Sequence, residues 1–526
     1  MHRFTTLGLC ILGTILSLLL INQYHIAIFT FPLFLGFSGL GIYHLTQTRH
    51  SILRNYPLLS LFRFFFEMIR AEIRQYLVES DMDGAPFSRH KRTIVYQRAK
   101  GQLDKIPFGT ELDVYKPGFE WLDHSLAPQH PDPAGFRIAI GGPDCTRPYS
   151  ASVFNISAMS FGSLSANAIR ALNKGAQLGG FAHDTGEGSI SIHHREFGGD
   201  LIWELGSGYF GCRKPDGSFD PDRFKAQASD PQVKMIEIKL SQGAKPGHGG
   251  VLPGTKVTPE IAEARGVPVG TDCISPARHP AFSTPLEFMA FIRHLRELSD
   301  GKPVGFKLCV GKPSEFMGIC KAMLDTGIYP DFIVVDGAEG GTGAAPLEFT
   351  DHIGMPMRDG LHFVHSTLTG LNIRDRIRIG AAGKITSAFD IARAMTLGAD
   401  WCNAARGFMF AIGCIQSQSC HTDRCPVGVA TQDPLRQRAL VVPDKAQRVA
   451  NFHRLTIEAL AEVLGAAGLE HPHQLNATLI HRRISAIETR SFAELYPVMA
   501  AGALLQGDAE KPMQHLWNSA LAERFA

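Results

Sequence analysis

Two long apolar runs open the chain. Thr5 to Ile21 carries no charge, Asn22-Gln23-Tyr24-His25 interrupts it, and Ile26 to Leu45 is apolar again. A helix that crosses a bilayer needs ~20 apolar residues, with ~17 as the lower bound. The pattern predicts two spanning helices joined by a tight polar turn, over residues 1–48. A signal peptide would explain the first run only, and no small-residue cleavage site separates the two. A buried hairpin in a soluble core is the bland reading. Arg3 precedes the first run, and Arg49, Arg54, Arg63 and Arg70 follow the second. The positive-inside rule then predicts a protein of the cytoplasmic membrane, with its large C-terminal part facing the cytoplasm.

The period changes after the second run. Leu58, Leu61, Phe62, Phe65, Ile69 and Ile73 recur at helical spacing with Arg63, Arg70 and Arg74 between them. This predicts an amphipathic helix, lying on the bilayer or packed on the following domain. The rest of segment 49–149 is rich in Pro, Gly and His and reads as loop with short strands. From residue 150, short β-branched runs alternate with helical stretches. The strand candidates are 154–160, 181–185, 235–240, 272–275, 304–310, 332–336, 377–381 and 401–405. Clear helices fall between several of them, at 165–178, 285–298, 314–326 and 388–397. Eight βα units predict an α/β fold of the TIM (β/α)8 type over 150–450, followed by helices over 451–526. A doubly wound sheet would need a dinucleotide glycine motif after its first strand. Ser160-Phe161-Gly162-Ser163 stands there instead.

Composition narrows the function. The 526 residues are 44% hydrophobic and 19% charged, so a large core can be buried. The 52 basic and 50 acidic residues leave no excess for a nucleic-acid footprint. The 10 cysteines form no framework of the secreted type. One cluster stands out: Cys414-x5-Cys420-His421-x3-Cys425-Pro426. Thiolates hold iron–sulfur clusters, and a proline after the last ligand recurs in cluster loops. Three cysteines leave one corner without a protein ligand, which favours a three-iron cluster. Zinc on three cysteines and His421 is the rival reading, and three unconnected core thiols the bland one.

Glycine-rich turns follow three of the predicted strands: 336–343, 382–384 and 405–407. Barrel loops after strands seven and eight commonly bind a phosphate, and Arg406 could add a forked contact. Tight turns alone would also need these glycines. Lys239 and Lys307 sit inside apolar runs. A buried lysine needs a partner, and at a barrel top it could face a reduced flavin; a lysine snorkelling to solvent is the alternative.

Several long motifs together resemble the FMN-binding synthase domain of glutamate synthases. They are Asp184-Thr-Gly-Glu187-Gly, the run from Lys239 through Lys245-Pro-Gly-His248-Gly-Gly-Val251 to Gly254, Gly340-Gly-Thr-Gly-Ala-Ala-Pro346, and Cys420 through Cys425 to Gln432. The resemblance covers about 150 to 450. It implies an FMN barrel, a 3Fe-4S cluster on Cys414, Cys420 and Cys425, and reductive amination of 2-oxoglutarate. It also implies that Glu187, Lys245 and Arg265 hold or surround the keto acid. Ala158, Ser160, Lys307, Gly341, Thr342, Gly383 and Arg406 match flavin-contacting segments.

Two departures bear on substrate and nitrogen source. Large glutamate synthases carry a glutamate and a glutamine where this chain has His248 and Val251. They also begin with an amidotransferase domain, where this chain has the apolar hairpin. The expectation is a shorter, membrane-tethered branch that takes a 2-oxo acid with free ammonia or an amine. Its electrons would come from ferredoxin or a partner flavoprotein. An N-methylglutamate synthase-type enzyme and a non-enzymatic membrane-tethered redox protein are the alternatives.

Overall fold

The computed structural model describes residues 4–48, 50–80 and 82–525. Arg3 and Arg49, two of the flanking arginines, lie outside the described residues. The chain divides into two compact units, 1–89 and 90–526.

In the first unit, helices α1 (Thr5–Leu20) and α2 (His25–Thr46) form an antiparallel hairpin. Small and polar side chains make the seam. Thr14 Oγ1 lies 3.0 Å from Ser38 Oγ, and Ser17 Oγ lies 2.9 Å from Thr30 Oγ1. Gly13 lies under the Phe34 ring. The outer faces are apolar and open: Leu12, Ile15, Leu19, Ile26, Phe29 and Leu33 are all exposed. The α2 helix has 22 residues, long enough and apolar enough to cross a bilayer, and α1 has 16. At 1.5 Å per residue these are about 33 and 24 Å long. The single amphipathic helix predicted after them is broken into Ser51–Asn55, Ser60–Met68, Arg70–Ile73 and a π-turn at Arg74–Val78. Pro57 supplies the first break, because it lacks the N–H a continuing helix would need.

The second unit is built on a closed barrel of eight parallel strands. These are β1 (Phe154–Ile156), β2 (His183–Asp184), β3 (Leu201–Leu205), β4 (Val233–Lys239), β5 (Val304–Leu308), β6 (Phe332–Asp336), β7 (Arg378–Ala382) and β8 (Trp401–Ala404). Each strand pairs with its neighbours in sequence, and β8 closes on β1. The α/β barrel expected from the sequence is therefore present.

One of the eight expected strands is not a barrel strand. Residues 273–274 pair antiparallel with Val251–Leu252, in a hairpin within the long loop after β4. The missing strand is β3, Leu-Ile-Trp-Glu-Leu, every residue of which is buried. Its glutamate broke the apolar run, yet that side chain points into the barrel, where a lysine meets it.

The hairpin Arg137–Ile140 and Tyr149–Ser152 closes one end of the barrel. Ile140, Tyr149 and Ala151 pack there with Ile202, Met235, Phe332, Val334 and Trp401. Those side chains come mostly from the beginnings and middles of their strands. The open end is therefore the one at the strand C-termini, where barrel enzymes keep their sites.

Around the barrel, α3 (Ala166–Gly179) is capped by Ser165, whose hydroxyl accepts from Ala168 N. The long helix α4 (Val442–Ala466) packs along it, with Val449 seated against Gly175. A helix at Arg89–Lys100 occupies part of the stretch read as loop. The C-terminal segment also carries strands Ile480–Arg483 and Thr489–Ser491, which form a small sheet with Glu120–Leu122. Glu120 is clasped there by Arg358, Arg393 and Arg482.

Candidate active site

Four charged side chains meet at the open end of the barrel. Glu187 comes from the loop after β2, Lys239 from the end of β4, Lys245 from the loop beyond it, and Arg265 from the end of helix Pro259–Arg265. Lys239 Nζ lies 3.2 Å from Glu187 Oε2. Lys245 and Arg265 are 5% and 4% exposed, so neither is held by solvent. Burial pushes the Glu187 carboxyl up. Lys239, Arg265 and Lys245 outweigh that and hold it below the usual carboxylate range. Burial also lowers the Lys245 ammonium, against the pull of Glu187.

Arg265 is oriented by its surroundings. Its Nη2 donates to the Phe161 carbonyl at 3.0 Å, and its guanidinium carbon lies 5.2 Å from the Phe210 ring centre. Its Nε is buried with no partner. A side chain at Gly188 would meet both Arg265 Nη2 and Ser160 Cβ, and one at Gly250 would collide with the Glu187 carboxylate. These glycines let the loops close around the charged group. Sequence reading left them out, although both stand within the motifs already quoted.

Lys239 was undecided from sequence and belongs to this site. His279 holds its backbone: Nε2 lies 2.8 Å from the Lys239 carbonyl, and Nδ1 lies 3.1 Å from Tyr209 Oη. Val251 is 44% exposed beside the site, and the exposed His248 meets the Phe349 ring edge-on at 5.5 Å.

The residues assigned to a flavin fall in three places. Ala158 and Ser160 lie just past the end of β1, on the loop that Arg265 touches through Phe161. Gly341, Thr342, Gly383 and Arg406 lie past the ends of β6, β7 and β8. A side chain at Gly341 would overlap the Arg406 guanidinium, so the glycine is required by that contact. Lys307 is 4% exposed and turned into the barrel, bonded to Glu204 and 3.7 Å from Glu237 Oε1. Glu204 and Glu237 were missed from sequence.

The three cysteines converge on one loop after β8. Cys425 is buried and Cys414 and Cys420 are half-buried. Burial pushes the Cys414 thiol up to about 12, with Cys420 and Cys425 adding to the rise and Arg406 opposing it. Gln416 N–H points at Cys414 Sγ at 3.5 Å, Tyr96 Oη donates to the Cys414 carbonyl at 2.7 Å, and Lys256 Nζ donates to the Cys420 carbonyl at 2.9 Å. Burial lowers Arg406, and Cys420, Cys414 and Asp336 pull it back up. Arg406 thus touches the glycine loop on one side and faces two sulfurs on the other.

The fold and site define a (β/α)8-barrel protein with a group of charged side chains at the open end of its barrel and three cysteines on the loop after β8. Residues 145–470 match the family model described as a conserved region in glutamate synthase. The glutamate synthase large subunit-like protein YerD of Bacillus subtilis (strain 168) is 38% identical over 504 residues, covering 87% of this chain and 94% of that one. The archaeal-type glutamate synthase (NADPH) of Thermotoga neapolitana is 37% identical over 313 residues, covering 59% and 58%. The glutamate synthase (NADPH) large chain of Bacillus subtilis is 34% identical over 326 residues, covering 60% of this chain and 20% of that one. Among solved structures, a mandelate oxidase mutant with an FMN adduct overlays at a TM-score of 0.38 with 16% identity, over 81% of this chain and 99% of that one, too distant to add to the barrel described above. The chain belongs to the glutamate synthase family, whose members are oxidoreductases acting on CH–NH2 donors.

Proposed function

We propose that this chain is an FMN- and iron–sulfur-dependent enzyme that reductively aminates 2-oxoglutarate or a closely related 2-oxo dicarboxylate. The charge balance of the pocket carries the reading. Lys239, Lys245 and Arg265 surround one carboxylate, Glu187. Two positive charges remain uncompensated, and a dicarboxylate supplies two negative ones. Arg265 offers a fork for one carboxylate and the lysines serve as point charges for the other. Glu187 keeps Lys239 in place and stays ionised through the neutral range.

FMN fits the glycine loops past β6 and β7, with Arg406 and Ser160 as the side chains that would hold it. The cluster fits Cys414, Cys420 and Cys425. When bound, FMN supplies hydride chemistry and the cluster supplies single electrons. Cys414, Cys420 and Cys425 have no fourth cysteine in their loop and leave one corner without a protein thiolate, which supports a three-iron cluster over zinc. Lys256 and Arg406 favour its negative charge.

The hairpin α1–α2 is proposed to sit in the cytoplasmic membrane, with the barrel on the cytoplasmic side. Its open apolar faces and polar seam support this, since side chains facing lipid should be apolar and hydroxyl pairs should face inward. The electron donor is proposed to be ferredoxin or a partner flavoprotein.

The test is turnover of the anaerobically purified protein with a reduced low-potential donor, 2-oxoglutarate, and either ammonium or methylamine. Glutamate from ammonium supports the reading. N-methylglutamate alone would move the chain to the amine-ligating class, and no product with either amine would contradict both.

A further inference from the structure

The barrel interior carries more acid than its one ammonium can balance. Strand register puts Glu204 of β3 directly opposite Glu237 of β4. Asp184 of β2 completes the group, with one oxygen of each carboxylate within 4.8 Å of the others. All three are buried, and among the described residues Lys307 of β5 is the cation paired with them. If all three were ionised, two negative charges would stand uncompensated in a low-dielectric core, which proteins avoid by taking up protons.

The hydrogen bonds locate the proton. Glu204 is taken by Lys307. Asp184 Oδ1 accepts from Gly186 N at 3.0 Å. Among the described residues, Asp184 Oδ2 and both oxygens of Glu237 have no donor, yet the two carboxyl groups lie within 4.8 Å of each other. Two ionised carboxylates cannot bond, whereas a carboxyl and a carboxylate can. We propose that Asp184 and Glu237 share one buried proton at neutral pH and act, with Glu204, as positioning residues that keep the Lys307 ammonium charged and fixed.

Burial and the neighbouring acids work in the same direction. Burial and Glu204 raise the Asp184 carboxyl to about 7, and burial and Asp184 raise Glu237 well above its usual value. Burial alone would lower Lys307, but Glu204, Glu237, Asp184 and Asp336 reverse this. Asp336 of β6, also raised by burial, accepts from Gly243 N at 2.8 Å and completes the set of charged groups around the lysine. Like charges at such range titrate as a pair, so the first proton leaves only when the second carboxyl can stand ionised beside Glu204. The shared proton rests on barrel geometry alone. What the fixed Lys307 would contribute to a bound flavin rests on the function proposed above.

Infrared spectroscopy of the full chain tests this without turnover. The wild-type protein should show the carbonyl stretch of a protonated carboxylic acid at pH 7, shifting in deuterated buffer. The Glu237→Gln variant, neutral and of the same shape, should lose one carboxyl's share of that band. An unchanged band in the variant, or none in the wild type, would overturn the proposal. Should the variant fail to fold, wild-type protein carrying carbon-13 in its aspartate and glutamate carboxyls decides the matter. The labelled band should titrate near pH 7 or above, and a midpoint below about 5, the ordinary carboxylate range, would overturn it.

Discussion

Lys239 and Lys307 are direct partners across β4 and β5, yet their side chains serve different acids. Lys239 reaches to Glu187 in the pocket, and Lys307 turns to Glu204 in the barrel. Neighbouring ammonium groups repel, and the separate carboxylates hold the two apart. One register position thus divides the charged group at the open end from the barrel core.

That division predicts selective effects. Lys239→Met, Lys245→Met and Arg265→Met should each raise KM for 2-oxoglutarate ten- to hundred-fold, from about 1.5–3 kcal/mol per charged hydrogen bond. The change for 2-oxobutyrate, which has one carboxylate, should be smaller for the residues that hold the distal end. Initial rates against the concentration of each acid read this out. Equal losses for both acids with all three variants would contradict a pocket for two carboxylates.

Gly341→Ala should displace Arg406, because the added methyl falls on its guanidinium. Arg406 faces both the glycine loop and the Cys414 and Cys420 sulfurs, so flavin and iron should fall together. Metal analysis and the visible spectrum of the purified variant measure both. Cys420→Ser should separate the two, losing iron while keeping flavin.

Several histidines are buried and held neutral. Burial lowers His183 to about 3, His453 to about 3 and His279 to about 4. Their folded values lie below the unfolded value near 6.5. The stability they contribute is therefore present above about pH 6.5 and is lost as pH falls from there toward 4 and 3, by up to ~1.4 kcal/mol per pH unit for each. Denaturant midpoints measured between pH 8 and 5 should fall with acid. His183→Leu should flatten that slope, since neither ring nitrogen of His183 has a partner to lose.

Removing residues 1–48 should move the protein from the membrane pellet to the supernatant after ultracentrifugation. It should leave unit 90–526 folded, because that unit holds the whole barrel. Retention of the truncated chain in the pellet at native expression would place the anchor in the aromatic segment Ser60–Met68, whose Phe62, Phe65 and Phe66 are exposed.

Much of this was legible in the sequence. The apolar strands β1, β4, β5, β6 and β7 announced the barrel because parallel strands are buried on both faces and read as continuous runs. β3, only five residues long, was not legible, and the Lys307 that pairs with its Glu204 lies 103 residues away. Residues 272–275 passed as a barrel strand because a short apolar run does not disclose its pairing partner. Glu187, Lys245 and Arg265 were named together by the family resemblance, and the structure brings Lys245 and Arg265 close enough to act on the Glu187 carboxylate. Lys239 needed the fold to decide it, since whether it faced solvent or Glu187 depended on the loop after β2.

The central claim is a flavin and an iron–sulfur cluster held side by side on loops past β6, β7 and β8. Anaerobic purification with metal analysis, visible spectra and EPR tests it most directly. The account predicts FMN and iron together, with an EPR signal in the oxidised state as a three-iron cluster gives, and loss of that signal in Cys420→Ser. Zinc in place of iron, or a flavin band with no iron, would contradict it.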